Sequence, residues 1–484
     1  MEDEQLLVGN HSAVWEDYPP IRSFRVARII VFQETEKLWR IAWLIIVNLF
    51  CLYGINSVTL IFVGHLGDVE LSAISLTLTG IGTFSFGLML GMGSALETLC
   101  GQAYGAGRLQ MMGIYMQRSW LILCSTSIIM LPVYIFATQI FRLLGQEDEV
   151  AALAGKYTLL TIPRLFSIAI TFPTQKFLQA QSKVAAMTWI GLVALLLHVF
   201  ISWLLVYELN LGAVGSIIAY DLTYWIISSS QVVYVILRCK DAWTGLSWQA
   251  FKDLWPFVRL SISSSIMLCL EVWYFMSIIL VTGHLSNSVI SIDALSICLN
   301  VNGWEAMVFF GINAAISVRI SNELGRRRPR SAKCAVYVTV VQCFMLGLVC
   351  MAAVLIAKDS FSVIFTSSKV LQVAVSKLAG LLGITMVLNS VQPVISGVAV
   401  GGGWQSAVAF INVGCYYIFG LPLGYALGYW ANFGVKGIWG GMIAGTALQT
   451  ILLLVMIYRT NWNKEVEQSA ERLRVLGGDD GSLS

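Results

Sequence analysis

Few residue types in this chain could do chemistry, and the most exposed to question is Glu271, which sits in the apolar run Ser261-Ile262-Ser263-Ser264-Ser265-Ile266-Met267-Leu268-Cys269-Leu270-Glu271-Val272-Trp273-Tyr274. An acid at bilayer depth costs ~2.5–3.5 kcal/mol on insertion scales, so it normally faces a bundle interior or a water-filled cavity. Burial disfavours the charged form of a carboxyl group, which lets such an acid bind and release protons. The alternative is a neutral acid hydrogen-bonded to a neighbouring helix for packing. Further along, Asp293, Ser296 and Asn300 recur at i, i+3 and i+7 and share one helical face. Glu305 need not share that stripe, since it lies about 18 Å beyond Asp293 and about a third of a turn round. Asp293 also suits a solvated helix end. Thr385, Asn389, Gln392 and Ser396 form a second polar stripe, with Pro393 freeing a backbone carbonyl for a ligand or water. Asn48 and Asn56 add amides on nearly one face of the first apolar run. We read Glu271, Glu305 and Asp293 as candidate proton-coupling groups, and Asn300, Asn389, Gln392, Asn48 and Asn56 as candidate substrate ligands. Tyr274 and Trp304 neighbour the acids and could stack on a planar solute.

Other polar groups point to structure. Arg164 could pair with Asp221, Lys156 can snorkel, and Glu97 and Glu323 suit structural roles at helix ends. The four histidines show no ligand spacing and the ten cysteines no CxxC pair, so neither a metal site nor a disulfide framework is expected. No GxxxxGK[ST] loop and no nucleophile–base–orienter set occurs, which argues against ATP binding of that type and against an enzyme.

These groups need apolar elements to position them. Of 484 residues 57% are hydrophobic and 12% charged, where soluble domains carry about a quarter charged. The net charge of +3 carries no nucleic-acid signal. Twelve apolar windows are long enough to span a bilayer: 38–62, 72–98, 112–139, 151–172, 185–205, 212–235, 255–281, 289–317, 332–357, 370–396, 404–427 and 435–458. Basic residues collect after even-numbered spans, as in Arg326-Arg327-Arg328-Pro329-Arg330, which predicts cytosolic termini. No basic-then-apolar leader opens the chain, so no cleavable signal is expected. A shift of 220 residues overlays Gly91, Ala95, Gly105 and Pro173 on Gly311, Ala315, Gly325 and Pro393. The repeat predicts an all-α polytopic protein with an amino-terminal tail (1–37), an N-lobe (38–237), a linker (238–254), a C-lobe (255–459) and a carboxy-terminal tail (460–484).

Several segments resemble plant MATE transporters, the multidrug and toxic compound extrusion family: Glu97-Thr98-Leu99-Cys100-Gly101-Gln102-Ala103-Tyr104-Gly105, Ser317-Val318-Arg319-Ile320-Ser321-Asn322-Glu323-Leu324-Gly325, Trp243-Thr244-Gly245-Leu246, Met267 to Tyr274 and Val391-Gln392-Pro393-Val394-Ile395-Ser396. Phe365-Thr366-Ser367-Ser368 and Leu388 to Pro393 resemble the detoxification branch that includes vacuolar flavonoid exporters. The resemblance implies a twelve-helix bundle in two six-helix lobes that exports organic compounds from the cytosol in exchange for protons. It implies that Glu271 is the coupling carboxylate. Many relatives carry a second acid on the tenth span, where this chain has Asn389; that departure argues against a sodium site and shifts proton handling onto Glu271.

The expected function is therefore proton-coupled antiport of flavonoid-type metabolites or xenobiotics by alternating access, with an anion (chloride) channel on the same fold as the alternative. No cofactor is expected, the proton gradient being the driving force. Expected partners are a small organic substrate, protons and the lipid bilayer, with no nucleic acid and a monomeric state. Glu2-Asp3-Glu4-Gln5-Leu6-Leu7 resembles an acidic dileucine sorting signal, which favours the vacuolar membrane over the plasma membrane.

Overall fold

A computed structural model describes residues 17–252, 254–282 and 288–477; the dileucine-like segment lies outside these. The described residues are helical, without strands. In chain order the helices are α1 (Phe24–Gly64), α2 (Asp68–Gly105), α3 (Leu109–Ile135), α4 (Ala137–Leu143), α5 (Asp148–Leu160), α6 (Ile162–Ala180), α7 (Val184–Glu208), α8 (Gly212–Arg238), α9 (Leu254–Thr282), α10 (Ser288–Gly325), α11 (Pro329–Ile356), α12 (Lys369–Gly402), α13 (Gln405–Trp430), α14 (Gly434–Arg459) and α15 (Trp462–Gly477). The helix widens to π geometry once within α2 (Thr77–Ile81), once within α7 (Leu204–Glu208) and twice within α13 (Val413–Gly420 and Ala426–Trp430).

Ten of these helices are long and apolar enough to cross a membrane. The fourth and sixth expected spans are not among the ten. The fourth divides at Thr161 into α5 and α6, with Pro163 in the first turn of α6, and the sixth is α8, which carries Asp221, Ser228 and Gln231 in its buried face.

Helical structure also reaches beyond the apolar windows. α1 begins at Phe24 rather than Leu38, because Ser23 caps it: the Val26 amide donates to Ser23 Oγ at 3.3 Å. Upstream, Asp17 accepts from the Arg330 and Ser331 amides, both at 2.8 Å, at the start of α11, where Pro329 supplies no donor. Residues expected to form a polar tail after α14 instead form α15, whose Trp462, Leu473 and Leu476 are buried.

The chain forms two compact units. One holds the residues up to Trp43 together with Leu270–Arg472; the other holds Leu44–Cys269 and the residues from Leu473. The boundaries fall inside α1, α9 and α15. Within the second of these units α2 packs on α3 and α6, and within the first α10 packs on α11 and α12. This is the same arrangement at a shift of 220 residues, the one read from the glycines and prolines.

In the Leu270–Arg472 unit, a core of Tyr274, Ile278, Leu295, Leu382, Tyr416 and Trp439 joins α9, α10, α12, α13 and α14. At one end of this unit the Glu34 carboxylate accepts from Arg319 Nε at 3.1 Å and Nη2 at 2.8 Å and from the Tyr18 hydroxyl at 2.5 Å. Arg319 also pairs with Glu323 one turn on. Burial beside Glu34 holds the Tyr18 phenol well above its ordinary range. α12 ends at Gly403 in the left-handed region (φ 82°), where a Cβ would lie 2.6 Å from Arg472 Nη1.

Candidate functional site

Glu271 is buried on α9, in the Leu270–Arg472 unit. Its Oε1 accepts a hydrogen bond from Gln392 Nε2 at 2.7 Å, and the same amide nitrogen lies 3.2 Å from Ser396 Oγ on the next turn of α12. Oε2 has no hydrogen-bond partner among the described residues, nor has the buried Tyr416 hydroxyl, which lies within electrostatic reach of Glu271. The carboxyl group is thus held by one neutral donor and no cation. Such an acid is poorly compensated when charged. When protonated it gains a donor of its own.

One helical turn earlier on α12, Asn389 Nδ2 donates to Asn302 Oδ1 of α10 at 3.1 Å. This amide pair borders a cavity of about 30 Å³ lined also by Tyr274, Thr385, Trp439 and Thr446. The lining is mostly apolar, with Phe275, Ile278, Leu299 and Met442 beside the two asparagines. Pro393 lies inside α12, and its own carbonyl accepts from Asn313 Nδ2 at 2.5 Å.

The structure distributes the remaining expected residues differently. Tyr274 is fully buried: its ring stacks on Tyr416 at 4.2 Å and 10°, and its hydroxyl donates to Met442 O at 2.9 Å. A Cβ on Gly445 would come within 2.5 Å of that hydroxyl, so Tyr274 is wedged against glycine backbone and its ring face is not open to a solute. Asp293, Ser296 and Asn300 share a face, but it is exposed, whereas Glu271 and Gln392 are buried. Trp304 is 44% exposed. Glu305 is buried, with neither carboxyl oxygen hydrogen-bonded. Asn48 and Asn56 belong to the Leu44–Cys269 unit; Asn48 packs against Gly191 and Asn56 Oδ1 has no partner.

The spacing argument missed Asn302 and Tyr416. Asn302 stands off the i, i+3, i+7 stripe that drew attention to Asn300, and an isolated tyrosine in an apolar run gives no polar periodicity. Arg164 and Asp221, the expected pair, lie within electrostatic reach of each other but form no hydrogen-bonded ion pair. The Arg164 guanidinium lies over the Tyr220 and Tyr224 rings at 5.0 and 5.7 Å instead, and Asp221 Oδ1 is unpartnered. Stacking suits a planar, weakly hydrated cation. Glu97 and Glu323 are structural: Glu97 pairs with Lys176 at 2.5 Å, and Glu323 with Arg319 and Arg326.

A family model described as MatE matches residues 45–204 and 264–426, two stretches that fall on the two halves of the repeat. The chain belongs to the MATE family. It is 63% identical over 480 residues to Protein DETOXIFICATION 35 of Arabidopsis thaliana, covering 99% of this chain and 98% of the relative. It is 60% identical to Protein DETOXIFICATION 34 of the same plant, over 95% and 85% of the two chains. The crystal structure of the eukaryotic MATE transporter AtDTX14 superposes with a TM-score of 0.88 at 31% identity, over 92% of this chain and all of that one. A Vibrio cholerae MATE transporter in its bent form shares the fold at a TM-score of 0.79 and 15% identity. The chain is therefore a multi-pass, all-α MATE membrane transporter and not an enzyme. These comparisons lend no support to the anion-channel alternative.

Proposed function

We propose that this MATE transporter is a proton-coupled antiporter that moves flavonoid-type metabolites or xenobiotics out of the cytosol by alternating access, at the vacuolar membrane and with both termini cytosolic. The supporting observation is Glu271, a buried carboxyl group with one oxygen on Gln392 and the other free. Protonation from an acidic lumen neutralises the site, and substrate entry from the cytosol displaces the proton. The exposed polar face of Asp293, Ser296 and Asn300 on a membrane-crossing helix suits the wall of a watery path, since lipid would penalise it. Asn389, where many relatives have an acid, leaves Glu271 without a second carboxyl group on α12 and supports a proton in preference to a metal cation.

Each pH unit supplies about 1.36 kcal/mol per proton, so two units support about a hundredfold accumulation of a neutral solute. The test is uptake of a flavonoid glycoside into acid-loaded vesicles containing the native protein or Glu271→Gln. Accumulation by the native protein that collapses with a protonophore and is lost in the variant supports the reading. Equal accumulation by both proteins refutes it.

A further inference from the structure

The Trp243-Thr244-Gly245-Leu246 motif plays no part in the Glu271 site, yet the segment after α8 is built with care. It folds back on α3 within one compact unit. Gln117 clamps it from both sides, donating through Nε2 to Gly245 O at 2.9 Å and accepting at Oε1 from the Ser247 amide at 2.9 Å. At Gly113 the backbone approaches so closely that a Cβ would lie 2.5 Å from Ala242 O. Trp120 packs on Trp243 at 5.7 Å and turns its indole N–H inward to Ile170 O at 3.1 Å.

Between α3 and this segment runs an open groove of about 410 Å³, floored by Trp120, Leu121 and Cys124 and walled by Leu246, Trp248 and Phe251. Gln117 and Cys124 are seven residues apart, so the groove follows α3 for about 10 Å. Its floor continues along the membrane-crossing helix α3 into the exposed apolar residues Ile128 and Ile135. Leu246 and Trp248 are each 84% exposed. Large apolar side chains left so bare beside a membrane-crossing helix mark the membrane interface, where tryptophans collect. Between 238 and 259 the chain carries Arg238, Lys240, Lys252 and Arg259 against Asp241 and Asp253, an excess of two positive charges.

We propose that this groove is a binding site for an anionic glycerophospholipid of the leaflet on the linker's side, its acyl chain lying on Leu121 and Cys124 beneath Trp248 and its headgroup among the linker's basic residues. Apolar lining, continuity with the exposed apolar surface of α3 and the surplus of cations together specify that occupant.

The test uses the full chain in phosphatidylcholine vesicles containing a trace of phosphatidylglycerol with a photoactivatable group in its acyl chain, the crosslinks being mapped by peptide mass spectrometry. Labelling of the 121–124 and 246–251 peptides is expected to exceed that of the exposed α7 residues Trp189 and Leu196 by about tenfold, a preference that two extra cations near the surface can supply. Leu121→Trp, which fills the groove, is expected to abolish the groove label while leaving the α7 label intact, which reports correct insertion. Uniform labelling of all exposed helices, equal labelling by a phosphatidylcholine probe, or displacement by a flavonoid glycoside instead of by unlabelled phosphatidylglycerol would each overturn the assignment.

Discussion

The two units share a scaffold and differ at the positions where one of them holds the Glu97–Lys176 ion pair. In the Leu44–Cys269 unit, Glu97 meets Lys176 at 2.5 Å and Arg164 lies on two tyrosine rings. At a shift of 220 residues, the positions of Glu97 and Lys176 are Ser317 and Ser396. Two charges that satisfy each other are replaced by hydroxyls, and Ser396 instead supports the amide that holds Glu271. An ion pair between buried groups is hard to open, because removing either charge strands the other. A carboxyl group held by an amide can lose or gain a proton without stranding a partner. At these repeat-related positions the backbone frame is kept while an ion pair gives way to a serine that supports the amide holding Glu271.

That contrast can be broken experimentally, beginning with the largest effect. Glu271→Gln is expected to reduce gradient-driven accumulation from about a hundredfold to about unity at two pH units, with the folded yield on size-exclusion chromatography unchanged. Lys176→Met is expected to do the reverse, destabilising the protein by about 3–5 kcal/mol through the stranded Glu97; the double variant Glu97→Gln/Lys176→Met should recover most of the loss in a thermal-unfolding assay while retaining proton dependence. If the single Lys176 variant unfolded normally but lost proton coupling, the distinction between the two interiors would fail.

Gln392→Leu removes one donor to a charged group, worth about 1.5–3 kcal/mol. Its expected signature is a tenfold or greater fall in transport rate, with Ser396→Ala changing the rate less. The smallest effect is assigned to Asn389→Ala, where loss of the bond to Asn302 should lower stability by about 0.6 kcal/mol. Asn389→Asp sharpens the comparison further: it places an acid on α12 in addition to Glu271 on α9, and cation-dependent uptake by this variant alone would show that the native asparagine excludes metal ions.

Much of this was legible in the sequence because it depends on local spacing. Glu271 stands out by its cost in an apolar helix, and Asn389, Gln392 and Ser396 by their helical period. The repeat shows in four glycines, alanines and prolines at one shift. What depended on pairing between distant helices was not legible. Tyr274 reads as an open aromatic handle beside an acid until Gly420 and Gly445 are seen to close around it. Asn300 and Asn302 differ by two positions, which on a helix is more than half a turn, and only the packing of α10 on α12 decides which amide turns inward. Arg164 had two acceptable companions, and side-chain direction chose the rings over the carboxylate.

The capped start of α1 also bears on how the protein is made. Glu34 rests on Arg319, which lies 285 residues later in the chain. At roughly 5–20 residues per second, the ribosome needs about a quarter of a minute to a minute to supply that guanidinium. For that interval Glu34 has only Lys37, at 3.3 Å and three residues on, as its counter-charge, and a nascent chain stopped after α8 would leave it so. Synthesis thus supplies the second cation of the Glu34 cluster only as α10 is completed.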